Sequence, residues 1–377
     1  MTRTATHAAV LRAFGRPQVI EEVELRPAGA GEARVRLLAA GVCHSDVGQA
    51  AGEWSHPLPV VLGHEGAAVV EAVGPDVAVP VGTRVVLNLA PGCGVCAHCY
   101  AGSPIRCQAS LAAMAEGRLT TGPTPIEGKD GAIAAYSLLS CFAEHAVVAA
   151  RSLIPIPADV PAAVAALVGC AVITGVGAAI ATIDVPAGSR GAIIGAGGVG
   201  VNAIQGARIR GASEIIALDP SEERRVLALQ FGATRVVDSR DSDLVGALQS
   251  RAAADGLDWT IVTVGNPDAI GLGVELLRPG GVAAIVGLAP EGMPVPIDTL
   301  GLVTYERRIV GSAYGSVAPP ILISRIFDLY RSGALLLDEL VSHRFPLESV
   351  NEAFALSERA GGLRAVIEFD GADTGGG

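Results

Sequence analysis

Apolar positions change rhythm along this chain. Through the first 150 residues they come in short, often alternating runs bounded by Gly or Pro: "ARVRLLAAGV" (33–42), "GAAVVEAVG" (66–74) and "GTRVVLN" (82–88). Alternation between turn residues predicts half-buried strands, so this part reads as mostly β. From about Val172 the texture differs. "RGAIIGAGGVGVNAIQGARIRGASEIIALD" (190–219) is a strand-like run, a glycine turn, a helix-length segment and a second strand-like run ending in an acid. "TRVVDS", "WTIVTVG" and "GGVAAIVGL" follow at helix-sized intervals, which predicts a parallel βαβ series. After about Ala313 the pattern is irregular again, with one clear helix in "PPILISRIFDLYRSG" (319–333). The plan is an α/β protein in which a nucleotide-binding domain (172–313) is inserted between two parts of a mostly-β catalytic domain (1–171 and 314–377). The tail "GADTGGG" (371–377) reads as frayed.

Composition adds limits to this plan. A chain of 377 residues suits two domains and a large core. Half the residues are hydrophobic, with 48 glycines and 4% aromatics, which suits an Ala/Val/Gly-rich α/β enzyme. The net charge of −11 argues against nucleic acid or an anionic membrane as a main partner. "AAVAALVGCAVITGVGAAIATI" (162–183) is uncharged and as long as a membrane span. It is built of Ala, Gly and Val and carries Cys170, so a buried helix is the expectation. The first residues, "MTRTATHAAVLRAFG", contain no apolar leader core, so a cytoplasmic chain with reduced thiols is expected.

Gly195, Gly197 and Gly200 form G-x-G-x-x-G directly after the strand-like "GAII" and at the start of a helix-length segment, with Asp219 at the end of the next strand. In that context the motif predicts a Rossmann dinucleotide site. Gly195 lets the chain turn. Gly197, with Gly198 and Val199 beside it, lets backbone N–H groups approach a pyrophosphate, and Gly200 lets helix pack on strand. Asp219 can accept hydrogen bonds from ribose hydroxyls and would repel a 2′-phosphate, which points to NAD. Arg224 and Arg225 are the counter-signal for NADP; otherwise they are solvated helix surface.

"CGVCAHCYAGSPIRC" (93–107) places Cys93, Cys96, Cys99 and Cys107 in the pattern C-x2-C-x2-C-x7-C. Disulfides fit poorly, because cysteines so close in sequence compete for partners and rarely reach bridge geometry. An iron–sulfur cluster fits better, but the bacterial ferredoxin run closes with a shorter gap and Cys-Pro. A closed four-cysteine zinc site accepts the spacing and leaves no room for substrate, so it is expected to be structural. Three cysteines remain. Cys43 in "GVCHSD", His64 in "LGHEG" and Cys170 in "VGCAVITG" together allow a three-ligand site with an open fourth position, whereas each alone would be ordinary core.

With "GVCHSD", "GHEG", the four-cysteine lobe, "GC…TG" and "GAGGVG" in order, the chain resembles the zinc-dependent medium-chain alcohol dehydrogenases over nearly its whole length. The long segment between Cys107 and "LLSCFAEHAVV" resembles the liver-type and formaldehyde dehydrogenase-like branch. The resemblance implies a GroES-like catalytic domain and two zinc ions per subunit. It assigns Cys43, His64 and Cys170 to the catalytic ion and the lobe to the structural one. It implies that Asp46 orients the His64 ring, that Glu65 sits behind the metal and that Ser45 takes the alcohol's proton before hydride passes to the nicotinamide. His44 and Arg364 should meet the pyrophosphate, and Thr174 and Val286 the rest of the cofactor. Cys141 matches no ligand. Many members have a histidine at the place of Gly48, ending a proton relay; with glycine there, protons are expected to leave by water or by His44. In the long-insert branch the strand matching part of 295–313 pairs with its twofold mate, so a homodimer is expected.

The resemblance implies a pocket lined by Trp54, Leu89, Tyr136, Leu288 and Tyr314, bulky and mostly apolar. That favours an aromatic or medium-chain primary alcohol, or its aldehyde, as substrate. The alternative is a formaldehyde dehydrogenase dependent on a mycothiol- or glutathione-type cofactor. The glutathione branch has an acidic pair and an arginine where this chain has Trp54, His56 and Leu111.

Overall fold

The computed structural model describes residues 3–241, 244–249, 256–359 and 362–370. The chain divides into two compact units, residues 1–170 with 318–377, and residues 171–317. The expected frayed tail at 371–377 lies outside the described residues.

The first unit is built from β-sheet, as the alternating runs require. Strands Thr4–Leu11, Val19–Leu25, Ile126–Gly128, Gly131–Ala135 and Val60–Val61 close a barrel. A second sheet runs in the order Leu153–Pro155, Arg84–Leu87, Glu65–Val73, Glu32–Val42, Arg364–Glu368 and Val341–Phe345, with His145–Ala149 also paired to Glu32–Val42. Strand Glu32–Val42 is its hub. It pairs antiparallel with Glu65–Val73, setting Gly41 opposite Glu65, and with Arg364–Glu368, setting Val42 opposite Ala365. That register brings three distant segments to one end of the sheet: the chain leaving Val42, the chain entering Glu65, and the start of the strand at Arg364.

The second unit is a six-stranded sheet, every pair parallel. Its spatial order is Arg235–Val237, Glu214–Leu218, Arg190–Ile194, Leu257–Val262, Leu277–Ile285 and Arg308–Gly311. In sequence order this is 3-2-1-4-5-6, the doubly wound dinucleotide-binding arrangement, whose ligand crevice lies where the order reverses. Helix Gly198–Ile209 follows the first strand. Strand Arg308–Gly311 is an edge strand, and Leu300 and Val303 in the helix before it are 76% and 75% exposed.

Ala162–Thr182 is the one described helical run long and apolar enough to cross a membrane, and 83% of its most apolar window is buried. That is the burial of a core helix. It is not one regular α-helix: widened turns occupy Val168–Val172 and Ala178–Thr182, and the first contains Cys170. Such π-type turns are frequent at functional sites.

The long insert after the cysteine lobe is tied down by one carboxylate. Glu32, 2% exposed, pairs with Arg26 at 2.5 Å and accepts hydrogen bonds from the Gly29 amide at 2.8 Å and the Thr121 hydroxyl at 2.6 Å. Burial works against the ionised carboxylate, but Arg26, Thr121 and Gly29 outweigh it, and the pKa lies below the ordinary value. A depressed folded pKa contributes stability above the unfolded carboxyl's value of about 4.3, and that contribution is lost as pH falls through the folded value. Glu32→Gln should therefore lower the melting temperature at neutral pH and flatten the fall in stability on the acid side. Calorimetry from neutral to acid pH measures both; an unaltered acid slope would show that Glu32 is not a linked group.

Candidate functional site

The sheet end in the first unit carries a buried donor cluster. The ligand atoms of Cys43, His64, Glu65 and Cys170 all lie within 4.8 Å of one another. Cys43 follows the hub strand and is the N-cap of helix His44–Ala51; it is 6% exposed. Glu65 opens the neighbouring strand and His64 comes just before it, at 0% and 3% exposure. Cys170 comes from the widened turn of the buried helix. Gly41 makes this approach possible: a Cβ there would stand 2.1 Å from Glu65 Oε2. A glycine inside an otherwise apolar strand is the sequence sign of such close approach.

Asp46 organises the cluster. It is fully buried. Its Oδ1 accepts from His64 Nδ1 at 2.9 Å and from the Gly63 amide at 3.1 Å, and its Oδ2 accepts from the Cys43 amide at 3.0 Å. With Nδ1 committed to Asp46, His64 turns Nε2 toward the sulfurs. The Ser45 hydroxyl stands 3.2 Å from Cys43 Sγ and 3.3 Å from His64 Nε2. Arg364, 7% exposed, puts Nη2 at 3.8 Å from Cys43 Sγ and 3.6 Å from Glu65 Oε1. His44 is exposed on the first turn of the helix.

Burial and close neighbours shift the protonation of four groups in the cluster. A hydrogen bond from Cys170 holds Cys43 well below the usual thiol value, with Arg364 assisting, while Cys170 is pushed well above it. One proton thus serves two sulfurs. Burial drives Glu65 up to about 8, against the pull of Arg364, and neither of its oxygens has a hydrogen-bond partner. Burial opposes a charged His64, yet Asp46 lifts it well above its ordinary value. Two sulfurs and an imidazole nitrogen, with the Glu65 carboxylate also in reach, are a donor set that suits zinc.

A second group unites Cys93, Cys96, Cys99 and Cys107, with all four sulfurs within 4.8 Å of one another. The short helix Ala97–Tyr100 sets Cys96 and Cys99 one turn apart. Gly92 and Gly94 both have left-handed backbones; a Cβ on Gly92 would meet Cys99 Sγ at 2.7 Å, and one on Gly94 the Arg151 guanidinium at 2.2 Å. Burial opposes a Cys107 thiolate, but hydrogen bonds from Ser110 and Cys93 bring it down to about 6. All seven cysteines are free thiols, and Cys141 is fully buried among apolar side chains, outside both groups.

In the second unit the glycine turn has room for a ligand. Gly195 has φ +94°, and a Cβ on Gly200 would stand 1.8 Å from the Gly195 carbonyl, so both positions require glycine. At Gly197 only the Arg224 guanidinium lies within 4 Å of such an atom, at 3.7 Å. Gly198 and Val199 begin the helix. Asp219 is 2% exposed; its carboxylate accepts from the Ala196 and Ser221 amides, each at 2.8 Å, which fixes it beneath the turn. Arg225 is not loose helix surface: it donates to the Asp219 carbonyl at 2.8 Å and pairs with Asp238 at 3.3 Å. Thr174 lies in helix Ile173–Gly177, packed so closely on Gly198–Ile209 that a Cβ on Gly175 would stand 2.2 Å from the Val199 carbonyl. Val286 follows strand Leu277–Ile285 and donates to the Val262 carbonyl at 2.9 Å.

The expected pocket residues divide. Tyr136, 8% exposed, has its ring 5.8 Å from His64 and 5.6 Å from His56. Trp54 lies over Gly48, and Leu89 packs against the core of the first unit. Leu288 is 64% exposed on the second unit, Tyr314 is buried there, and Leu111 is 49% exposed on the first.

Residues 29–158 match the alcohol dehydrogenase GroES-like domain, and residues 198–328 match the zinc-binding dehydrogenase family. The chain belongs to the zinc-dependent medium-chain alcohol dehydrogenases. It is 34% identical to a geraniol dehydrogenase of Castellaniella defragrans, over 97% of this chain and 98% of that one. It is 35% identical to an S-(hydroxymethyl)glutathione dehydrogenase of Saccharomyces cerevisiae, over 96% of each. Benzyl alcohol dehydrogenase of Acinetobacter calcoaceticus is similar in structure, with a TM-score of 0.91, 30% identity and coverage of 97% and 99%. The protein is therefore an alcohol dehydrogenase acting on small-molecule alcohols or aldehydes, and its cofactors are zinc and a nicotinamide dinucleotide.

Native dehydrogenase should carry two zinc ions per chain by elemental analysis. Asp46→Asn should weaken the metal held by Cys43, His64 and Cys170 by about 10–100-fold, because the His64 ring loses its ionic partner. Competition with a chelator reads this directly; equal retention in variant and parent would remove Asp46 from the orienting role.

Proposed function

We propose that this dehydrogenase interconverts primary alcohols carrying an aromatic or medium-length tail with their aldehydes, using NAD. The observation that carries the proposal is the cluster of Cys43, His64 and Cys170 with the Ser45 hydroxyl set against it and the Tyr136 ring beside it. A zinc ion held there supplies Lewis acidity that lowers the pKa of an alcohol hydroxyl, and NAD supplies the hydride acceptor. Ser45 takes the alcohol's proton. Arg364 stands 3.6 Å from Glu65 behind the ligands. His44 and Arg364 are assigned to the pyrophosphate, Thr174 and Val286 to the nicotinamide side, and the lobe cysteines to a structural ion.

Preference for NAD follows from Asp219, held rigidly under the glycine turn where a 2′-phosphate would meet its charge. Arg224 beside Gly197 is assigned to the adenosine end of the cofactor. The tail preference follows from Trp54, Leu89 and Tyr136. Each methylene buried in an apolar pocket is worth about 0.8 kcal/mol, so a ring or longer chain should gain roughly 10–200-fold in kcat/KM over a small alcohol. The names of the geraniol and benzyl alcohol relatives support this reading. The name of the S-(hydroxymethyl)glutathione relative supports the second one, a thiol-adduct substrate. Against it, Trp54, His56 and Leu111 offer no fixed charge to pair the adduct's carboxylates, and burying carboxylates unpaired costs several kcal/mol.

Kinetics with benzyl alcohol, hexanol, ethanol and hydroxymethylglutathione, each with NAD and NADP, tests both assignments. Benzyl alcohol or hexanol with NAD should lead. A tenfold advantage for ethanol or the adduct would overturn the pocket assignment, and equal efficiency with NADP would overturn the role of Asp219. We also propose a homodimer joined along the edge strand Arg308–Gly311, whose neighbours Leu300 and Val303 need cover. Light scattering at micromolar concentration should give twice the chain mass, and Val303→Lys should shift it toward the monomer.

A further inference from the structure

Gly48 stands one turn beyond Ser45 on helix His44–Ala51, and its missing side chain is replaced by something else. The helix ends at Gly52, whose left-handed backbone (φ 86°) turns the chain back on itself. Two hydrogen bonds pin the returning residues: the Glu53 amide donates to the Gly48 carbonyl at 3.0 Å, and Gln49 Nε2 donates to the Trp54 carbonyl at 2.9 Å. The space a Cβ on Gly48 would take is closed from two sides. Trp54 ring carbons lie 2.8 and 2.9 Å from that point, and Glu53 Oε2 lies 2.7 Å from it. Gly48 is buried while Glu53 is exposed, so the carboxylate lies over a buried helical position and also meets water.

Ser45 and Gly48 are three residues apart, and such helix positions share a face with Cβ atoms about 5–6 Å apart. The carboxylate over Gly48 therefore stands about one turn along the helix from the hydroxyl that touches Cys43 and His64. Water-mediated hydrogen bonds are nearly as favourable as direct ones, so a link of this length runs through water. The Trp54 ring covers the apolar side of the same spot.

We propose that Glu53 is the proton outlet of this dehydrogenase, a positioned acceptor that links Ser45 to solvent. The alcohol's O–H proton passes to Ser45 Oγ as the proton of Ser45 leaves through a water to the Glu53 carboxylate, which then gives it to bulk solvent. The C–H bond breaks with its electron pair going to the cofactor as hydride. One alcohol and one NAD thus yield one aldehyde, one NADH and one proton. In the reverse direction the Glu53 carboxyl returns that proton. This rests on the alcohol site proposed above.

Glu53→Gln retains shape and hydrogen bonding but cannot carry the proton, and Glu53→Asp retains the charge. Zinc content, melting temperature and NADH binding by fluorescence should match the parent in both. In Glu53→Gln, kcat should fall tenfold or more, and small bases such as imidazole, added at constant pH, should restore it in proportion to their concentration, whereas the parent and Glu53→Asp should respond little. A second readout needs no turnover. When NAD-loaded protein meets trifluoroethanol, which binds as an alcohol but does not give up hydride, proton release into an indicator dye should slow tenfold or more in Glu53→Gln at unchanged amplitude. An unchanged kcat, a loss that base does not relieve, or unaltered release kinetics overturns the outlet. Absence of turnover and of proton release in the parent as well would instead overturn the alcohol site on which the outlet depends.

Discussion

The buried carboxylate of Asp46 is the interaction on which the metal centre depends. Three N–H groups from two separate segments converge on it: the amide that starts the cysteine turn, the amide of Gly63, and the ring of His64. Carboxylate–amide bonds of this kind are about twice as strong as neutral ones. They fix the distance between Cys43 and His64 before any ion binds. The strand register does the rest, because Gly41 opposite Glu65 and Val42 opposite Ala365 leave no alternative path for the cysteine, the glutamate or Arg364. A one-residue slip would turn Glu65 to the other face and separate it from Arg364.

Charge explains why this arrangement suits a divalent cation. With both sulfurs ionised and His64 neutral, the ligands carry two negative charges that one zinc ion cancels. Behind them the Arg364 guanidinium stands 3.6 Å from Glu65 Oε1. The lobe is different. Four thiolates exceed the ion's charge by two, and the exposed Arg151 guanidinium folded against Gly94 lies on the lobe. This is tolerable because three of its four cysteines are only partly buried, so solvent shares the excess.

Much of this was legible in the sequence because each feature had a local signature. The period of the apolar runs marked strands in one region and a βαβ series in another. The fingerprint glycines declared themselves because Gly195 and Gly200 have no substitute in their geometry. The lobe cysteines were set apart by their spacing, and Cys43, His64 and Cys170 by the family resemblance. What stayed hidden depends on contacts between residues remote in the chain or on turns with no fixed motif. The clasp of Arg26, Glu32 and Thr121 joins positions that no spacing rule connects. The widened turn that delivers Cys170 has no sequence mark beyond small residues. Arg225, read as helix surface, is held by a backbone carbonyl and by Asp238 from another strand–helix unit.

Gly48 shows most plainly why a motif read alone is incomplete. By resemblance, the position registers a loss, since many relatives carry a histidine there. In three dimensions the loss is also an opening. A side chain on residue 48 would collide with the Trp54 ring and the Glu53 carboxylate, both closer than 3.0 Å to its first atom. The absence of that side chain and the return of the chain through Gly52 are therefore one structural decision. It places a large aromatic surface and a hydrated carboxylate where one imidazole would have stood. On the proposed reading, substrate shape and proton exit are set by two adjacent residues, so a change at either one is felt by the other through the same small volume.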